Sequence, residues 1–275
     1  MPDHICHFLK LFADDSKLIA IIKDQNDVDI LQNDIDALVK WATDWRMLFN
    51  QEKCKSMLVT KSGKHTTNQQ IYMRSDSDLP QALKSTSSEK DLGIILSNNF
   101  KFNEQANHAA NKASIALGQL KRTFCVWTPR IFKLLYSTFV RPRLEYAAPA
   151  WSPQLTKDIS IIEKVQRRAT KLVPSLKKLS YKERLEALQL TTLKTRRLRG
   201  DLIQYFKFDR NINTITWHRS NPPVPPFSHC LRGPSHKVRR QFIKNCKQRD
   251  NFFLNRIVPY WNDLPELVIQ SSSVN

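Results

Sequence analysis

A chain of 275 residues, 41% of them hydrophobic, can bury the core of one large or two ordinary domains, which excludes a wholly disordered polypeptide. Its 44 Lys and Arg against 25 Asp and Glu give a formal charge of +19, an excess that points to a polyanion, nucleic acid before an anionic membrane surface. The cysteines Cys6, Cys54, Cys125, Cys230 and Cys246 are odd in number, scattered and without a CxxC pair, which argues against a disulfide scaffold and for a reducing intracellular compartment.

No signal peptide is visible, and apolar runs such as Leu18 to Ile22 fall far short of the ~20 residues of a membrane helix. Charge is polarised along the chain: residues 1 to 50 hold nine Asp against five Lys or Arg. Between Lys164 and Arg199 there are twelve basic residues against Glu183 and Glu186, and between Arg232 and Arg249 seven with no acid. An acidic beginning is followed by a basic binding region.

The apolar segments Ile5 to Ala13 and Leu18 to Ile22, interrupted by Asp14 and Asp15, predict a hairpin with two acids at its tip. Val28, Leu31, Ile35, Leu38, Ala42, Trp45 and Phe49 recur at steps of three and four and predict one helix with a continuous buried stripe. Asn50 to Lys55 reads as a loop and Ser56 to Thr60 as a short strand. Residues 63 to 90 are polar and poorly patterned, and Leu92 to Leu96 supplies another strand.

From Asn103 the pattern becomes helical, with Ala109, Ala113, Leu117, Leu120 and Phe124 on one face. Thr128 before Pro129 opens the next helix, with Ile131, Leu134, Leu135 and Phe139 inward and Pro142 ending it. Ile159, Ile162, Val165, Ala169 and Leu172 mark another, and Ser180 with Glu183 forms a capping box for one more. Pro222, Pro223, Pro225 and Pro226 predict an extended linker over residues 211 to 228. The tail, 229 to 275, has enough aromatic residues for one amphipathic helix docked on another element.

Adjacent carboxylates at a hairpin tip suit two-metal phosphoryl transfer, since Mg²⁺ takes oxygen ligands and paired ions sit ~3.5 to 4 Å apart. Acids are also common in turns, so the pair gains weight only from its context. Lys164, Arg167, Arg168 and Lys171 fall on one helical face, and Arg196, Arg197 and Arg199 form a second basic cluster. Both suit phosphate contact, and the competing reading is a solvated helix face. His229, Cys230, His236 and Cys246 lack the spacing of a zinc knuckle or finger, so no metal is expected there. Trp41, Trp45, Phe124 and Phe139 occupy helical core positions, which predicts packing rather than base stacking.

Phe12-Ala13-Asp14-Asp15 resembles the aromatic-x-Asp-Asp signature of reverse transcriptases. The helix with Trp41 and Trp45, Phe49-Asn50-Gln51-Glu52-Lys53-Cys54 and Met57 to Thr60 follow in the order seen in non-LTR retrotransposon enzymes. Asp91-Leu92-Gly93-Ile94 resembles their strand leading to the primer-gripping region and thumb, and Ile162-Glu163-Lys164-Val165-Gln166-Arg167-Arg168-Ala169 their post-palm helix. Phe252-Phe253-Leu254-Asn255-Arg256 and Trp261-Asn262-Asp263-Leu264-Pro265 resemble the closing segment of jockey-like elements.

The resemblance implies an α+β fold: a partial palm with catalytic hairpin, helix and short strands over residues 1 to 100, then a mainly α-helical thumb-like basic region over 101 to 210. It implies RNA-directed DNA synthesis with Mg²⁺, an RNA template, a DNA primer or target and dNTP, with no membrane partner, in cytoplasm and nucleus. Asp14 would be a metal ligand, Asp15 would help hold the metal site, and Lys53 would protonate leaving pyrophosphate, unless it is only a solvated loop lysine. The expectation is a fragment without fingers and without the metal-binding aspartate of an earlier strand, inactive alone. The alternative is a non-catalytic, basic nucleic-acid-binding remnant.

Overall fold

The computed structural model describes residues 5–60, 70–74, 80–214 and 237–274. They form a mixed α+β protein in two units, residues 1–89 and 90–275. Among the described residues no helix is long and apolar enough to cross a membrane.

In the first unit β1 (Phe8–Phe12) and β2 (Asp15–Ile19) pair antiparallel, Phe12 opposite Asp15. Ala13 takes φ 52° in the two-residue turn, as the primed hairpin turns require at their first central position. α1 (Gln25–Asp44) opens on a reciprocal cap, in which Asp24 accepts from the Asp27 N–H and Asp27 accepts from the Asp24 N–H. Its stripe of Val28, Ile35, Leu38 and Ala42 is buried as the spacing predicts.

The stripe stops short of Trp45, however, which lies past the helix end and is 67% exposed. Arg46 turns left-handed at φ 54°, and the bonds Arg46 N–H to Thr43 O and Met47 N–H to Ala42 O close a Schellman motif that satisfies the last carbonyls. Of the tryptophans expected in the core here, Trp41 is half-buried and Trp45 is outside it.

The poorly patterned stretch hides short strands. β3 (Lys55–Ser56) pairs in parallel with β6 (Lys84–Ser85), and β4 (Tyr72–Arg74) antiparallel with β5 (Pro80–Ala82). The strand expected over 56 to 60 is thus two residues long and begins at Lys55, while among the described residues Met57 to Thr60 join no ladder. Ile71 and Met73 complete a small core with Val28 and Ile35. The Gln32 amide fixes β4 to α1, accepting from the Tyr72 N–H at 2.9 Å and donating to the Tyr72 carbonyl at 2.7 Å.

The chain next forms a hairpin of β7 (Ser88–Asp91) and β8 (Ile94–Ser97). The single strand expected over 92 to 96 is interrupted at its start, because Leu92 (φ 45°) and Gly93 (φ 86°) make the turn. Two left-handed central residues are the mark of a type I′ turn.

The second unit is otherwise helical. α2 (Asn103–Thr123) buries Leu117 and the alanines Ala106, Ala109, Ala110, Ala113 and Ala116, whose small side chains let α5 (Thr156–Thr170) pack closely on it. α3 (Pro129–Leu135) starts at Thr128, whose hydroxyl accepts from the Ile131 N–H, and runs through a π turn over Tyr136–Val140 into α4 (Arg141–Glu145).

Pro142 therefore does not end the helix, against expectation. The π turn widens the preceding backbone, with Arg141 N–H bonded to Tyr136 O, and makes room for a ring that a continuous α-helix would push against a carbonyl. The inner face is also rotated from the one expected: Phe132, Leu135, Tyr136, Val140 and Leu144 are buried, whereas Leu134 is 67% and Phe139 49% exposed. Phe124, just past the end of α2, is 39% exposed.

α6 (Tyr181–Ala187) carries the Ser180 and Glu183 capping box, and α7 (Leu193–Asp209) is capped by Thr192. Tyr205 and Phe206 of α7 bury against Phe253, Ile257, Val258 and Trp261. These last belong to α9 (Phe253–Asn262), flanked by the single turns α8 (Lys247–Asp250) and α10 (Glu266–Ile269). The tail helix thus docks on α7. Most of the expected proline-rich linker, with His229, Cys230 and His236, lies outside the described residues.

Candidate functional site

The hairpin tip presents both acids to solvent, Asp14 in the turn and Asp15 as the first residue of β2. Its base is held by a carboxylate that sequence reading missed. Asp34, buried on α1, accepts from the Cys6 N–H at 3.0 Å, the His7 N–H at 2.9 Å and the His7 ring Nδ1 at 2.8 Å. A polar residue inside an apolar stripe was the available signal, since a buried carboxylate needs such donors.

Lys53 is exposed in the loop after α1, and among the described residues no hydrogen bond or ion pair joins it to Asp14 or Asp15. Two hard carboxylates suit Mg²⁺ as part of a ligand set. No group of three or more His, Cys, Asp or Glu that could hold a metal forms among the described residues.

The basic face of α5 is built by the same turns that build the core. Ile162, Glu163, Val165, Gln166, Ala169 and Thr170 point inward, while Lys164, Arg167, Arg168 and, at the helix end, Lys171 point out. Arg167 stacks over the Tyr181 ring at 4.6 Å and Arg168 donates to Ser114 Oγ at 2.6 Å, which orients both guanidinium groups. Cations in a last turn also complement the helix dipole, so part of this pattern serves the helix itself.

Beneath this face lies a polar network. Gln166, fully buried, accepts from Tyr136 OH at 2.6 Å and donates to Tyr181 OH at 2.9 Å and to the Thr191 carbonyl at 3.0 Å. Glu163 accepts from Tyr181 OH and, at 3.0 Å, from the Leu193 N–H. Burial pushes the Tyr181 phenol well up, reinforced by its bond to Glu163, and burial likewise raises Tyr136. The segment from Ile162 to Ala169 therefore combines an outward cationic row with two inward polar anchors.

The second basic cluster is only partly at the surface. Arg197 is buried, its guanidinium 4.0 Å over the Trp151 ring and donating to the carbonyls of Leu144 at 2.6 Å and Trp151 at 3.2 Å. Desolvation lowers its pKa to about 10, opposed by Asp201 and Glu145, so it stays charged at neutral pH. Arg196 makes a two-point contact with Glu145, at 2.5 and 3.2 Å, which holds its pKa up. Only Arg199 is exposed. Phosphate contact through Arg197 is thus corrected to a structural role, because the side chain is buried and its Nη1 and Nη2 already donate to core carbonyls.

No protein family, curated protein or solved structure matches this chain. Its chemistry is legible from the two surfaces just described, an acidic tip in the first unit and a cationic helix face in the second.

Proposed function

We propose that the chain is the palm-and-thumb part of a non-LTR retrotransposon reverse transcriptase, whose activity is RNA-directed DNA synthesis. The observation that carries this reading is the Phe12-Ala13-Asp14-Asp15 hairpin, with its acids exposed at a turn and its base anchored on α1 through Asp34. Mg²⁺ bound at the tip would supply Lewis-acid activation of the primer hydroxyl and offset charge on leaving pyrophosphate. Asp14 and Asp15 would hold it, Asp34 would set where they stand, and Lys53 would deliver a proton to pyrophosphate.

Two carboxylates in open solvent neither enclose a nucleotide nor orient a primer end, so positional catalysis has little to act on in this chain alone. That favours the second reading, a basic nucleic-acid-binding piece, whose own support is the outward row Lys164, Arg167, Arg168 and Lys171.

Primer extension on an RNA template with Mg²⁺, beside Asp14→Ala and a salt titration of duplex binding, separates them. Extension abolished by Asp14→Ala supports the polymerase. Salt-sensitive duplex binding without extension supports the binding piece, and absence of both sinks both.

A further inference from the structure

We infer that residues 237–244 form a second binding surface, an ordered strap for single-stranded nucleic acid, independent of whether the hairpin catalyses. The strap is clamped to α9 by two asparagine side chains. Asn262 accepts from the Val238 N–H at 2.8 Å and donates to the Val238 carbonyl at 2.9 Å. Asn255 does the same to Gln241, at 3.0 and 3.1 Å.

The spacing explains the fit. Seven residues of helix rise ~10.5 Å, and three residues of extended chain span ~10 Å, so one helix face meets two strap amides in antiparallel register. Each asparagine replaces the strand partner the strap backbone otherwise lacks.

With Val238 buried beneath it, the strap shows solvent Lys237, Arg239, Arg240 and Lys244. Arg240 pairs with Asp250 at 2.8 Å, while Lys237, Arg239 and Lys244 make no hydrogen bond or ion pair among the described residues. Beside them Phe242 is 85% exposed.

A row of cations along a non-helical segment with one projecting aromatic ring is the arrangement that tracks phosphates and stacks a base. Bases inside a duplex are already stacked, so an outside ring selects an unpaired strand. An anionic membrane fits less well, because interfacial binding draws on a broad apolar helix face rather than one ring. Clamping the strap beforehand removes the ordering cost that a loose basic tail would meet on binding.

The test uses the full chain, a labelled oligouridylate, the matching RNA–DNA duplex and phosphatidylserine vesicles. Phe242→Ala is expected to weaken oligouridylate binding about ten-fold and leave duplex binding unchanged. Lys237→Ala, Arg239→Ala and Lys244→Ala together should lower the salt slope for the single strand by about 2. Asn255→Ala with Asn262→Ala, keeping every cation, should weaken oligouridylate binding as well, a loss that charge alone does not explain.

Unchanged oligouridylate affinity in Phe242→Ala overturns the proposal, as does displacement of the oligonucleotide by vesicles at equal concentration. Phe242 is exposed, so that variant keeps the fold even if the asparagine pair proves needed for it.

Discussion

Arg256 and Asp201 meet in a two-point contact, Nε to Oδ2 and Nη2 to Oδ1 both at 2.9 Å, and join the tail helix α9 to α7. The same guanidinium reaches the carbonyls of Pro149 at 2.9 Å and Ala148 at 3.3 Å. Asp201 is buried, so removing its partner strands a charge. Arg256→Ala is expected to lower stability by about 3 to 5 kcal/mol. A urea melt measures it, and Asp201→Asn added to Arg256→Ala should cost far less than the two single losses summed.

Gly93 combines a left-handed backbone with a close neighbour: an added Cβ would stand 3.1 Å from Tyr146 Cε1. Tyr146 OH also donates to the Leu92 carbonyl at 3.0 Å, closing over the turn. Gly93→Ala should destabilise by about 1 to 3 kcal/mol. Pairing it with Tyr146→Ala in a double-mutant cycle separates crowding from backbone strain; full rescue would show that φ contributes nothing.

The two basic groups of the sequence should part under mutation. Arg197→Ala leaves the carbonyls of Leu144 and Trp151 unsatisfied and should lower stability by about 3 kcal/mol or more, with duplex affinity per folded molecule unchanged. Lys164→Ala with Lys171→Ala, both exposed, should leave the melting temperature within the range of ordinary surface changes and lower the duplex salt slope by about 2. Equal salt slopes for this pair and the parent chain would remove α5 from the interface.

Alkaline pH should unfold the protein. Burial raises the folded-state pKa of Tyr136, Tyr181 and Tyr205. Stability from the phenols is full below the unfolded value of ~10 and is lost as pH rises above it, because the unfolded chain releases those protons first.

Arg197, lowered to about 10, acts the other way: its folded form sheds a proton first, which adds stability as pH rises. Three phenols outweigh one guanidinium, so the melting temperature should fall from pH ~10 upward. Tyr205→Phe should flatten that fall, and a flat profile in the parent chain would refute the burial argument.

Local pattern was enough for the stripe of α1 and for the starts of α3 and α6, because a 3.6-residue period, Thr128 before Pro129, and Ser180 with Glu183 all act between near neighbours in the chain. It also determined the hairpin with Asp14 in its turn, since strand patterning and turn chemistry are local.

Long-range contacts set the remainder. Arg197 turns inward because its acceptors, Leu144 and Trp151, lie 53 and 46 residues away, a distance over which a run of basic letters carries no information. Pro142 stays helical because a π turn opens before it, and Asp34, Asn255 and Asn262 matter only through backbone groups that folding brings to them. Periodicity reports which face is apolar; which buried polar group finds a partner is set by the packed chain.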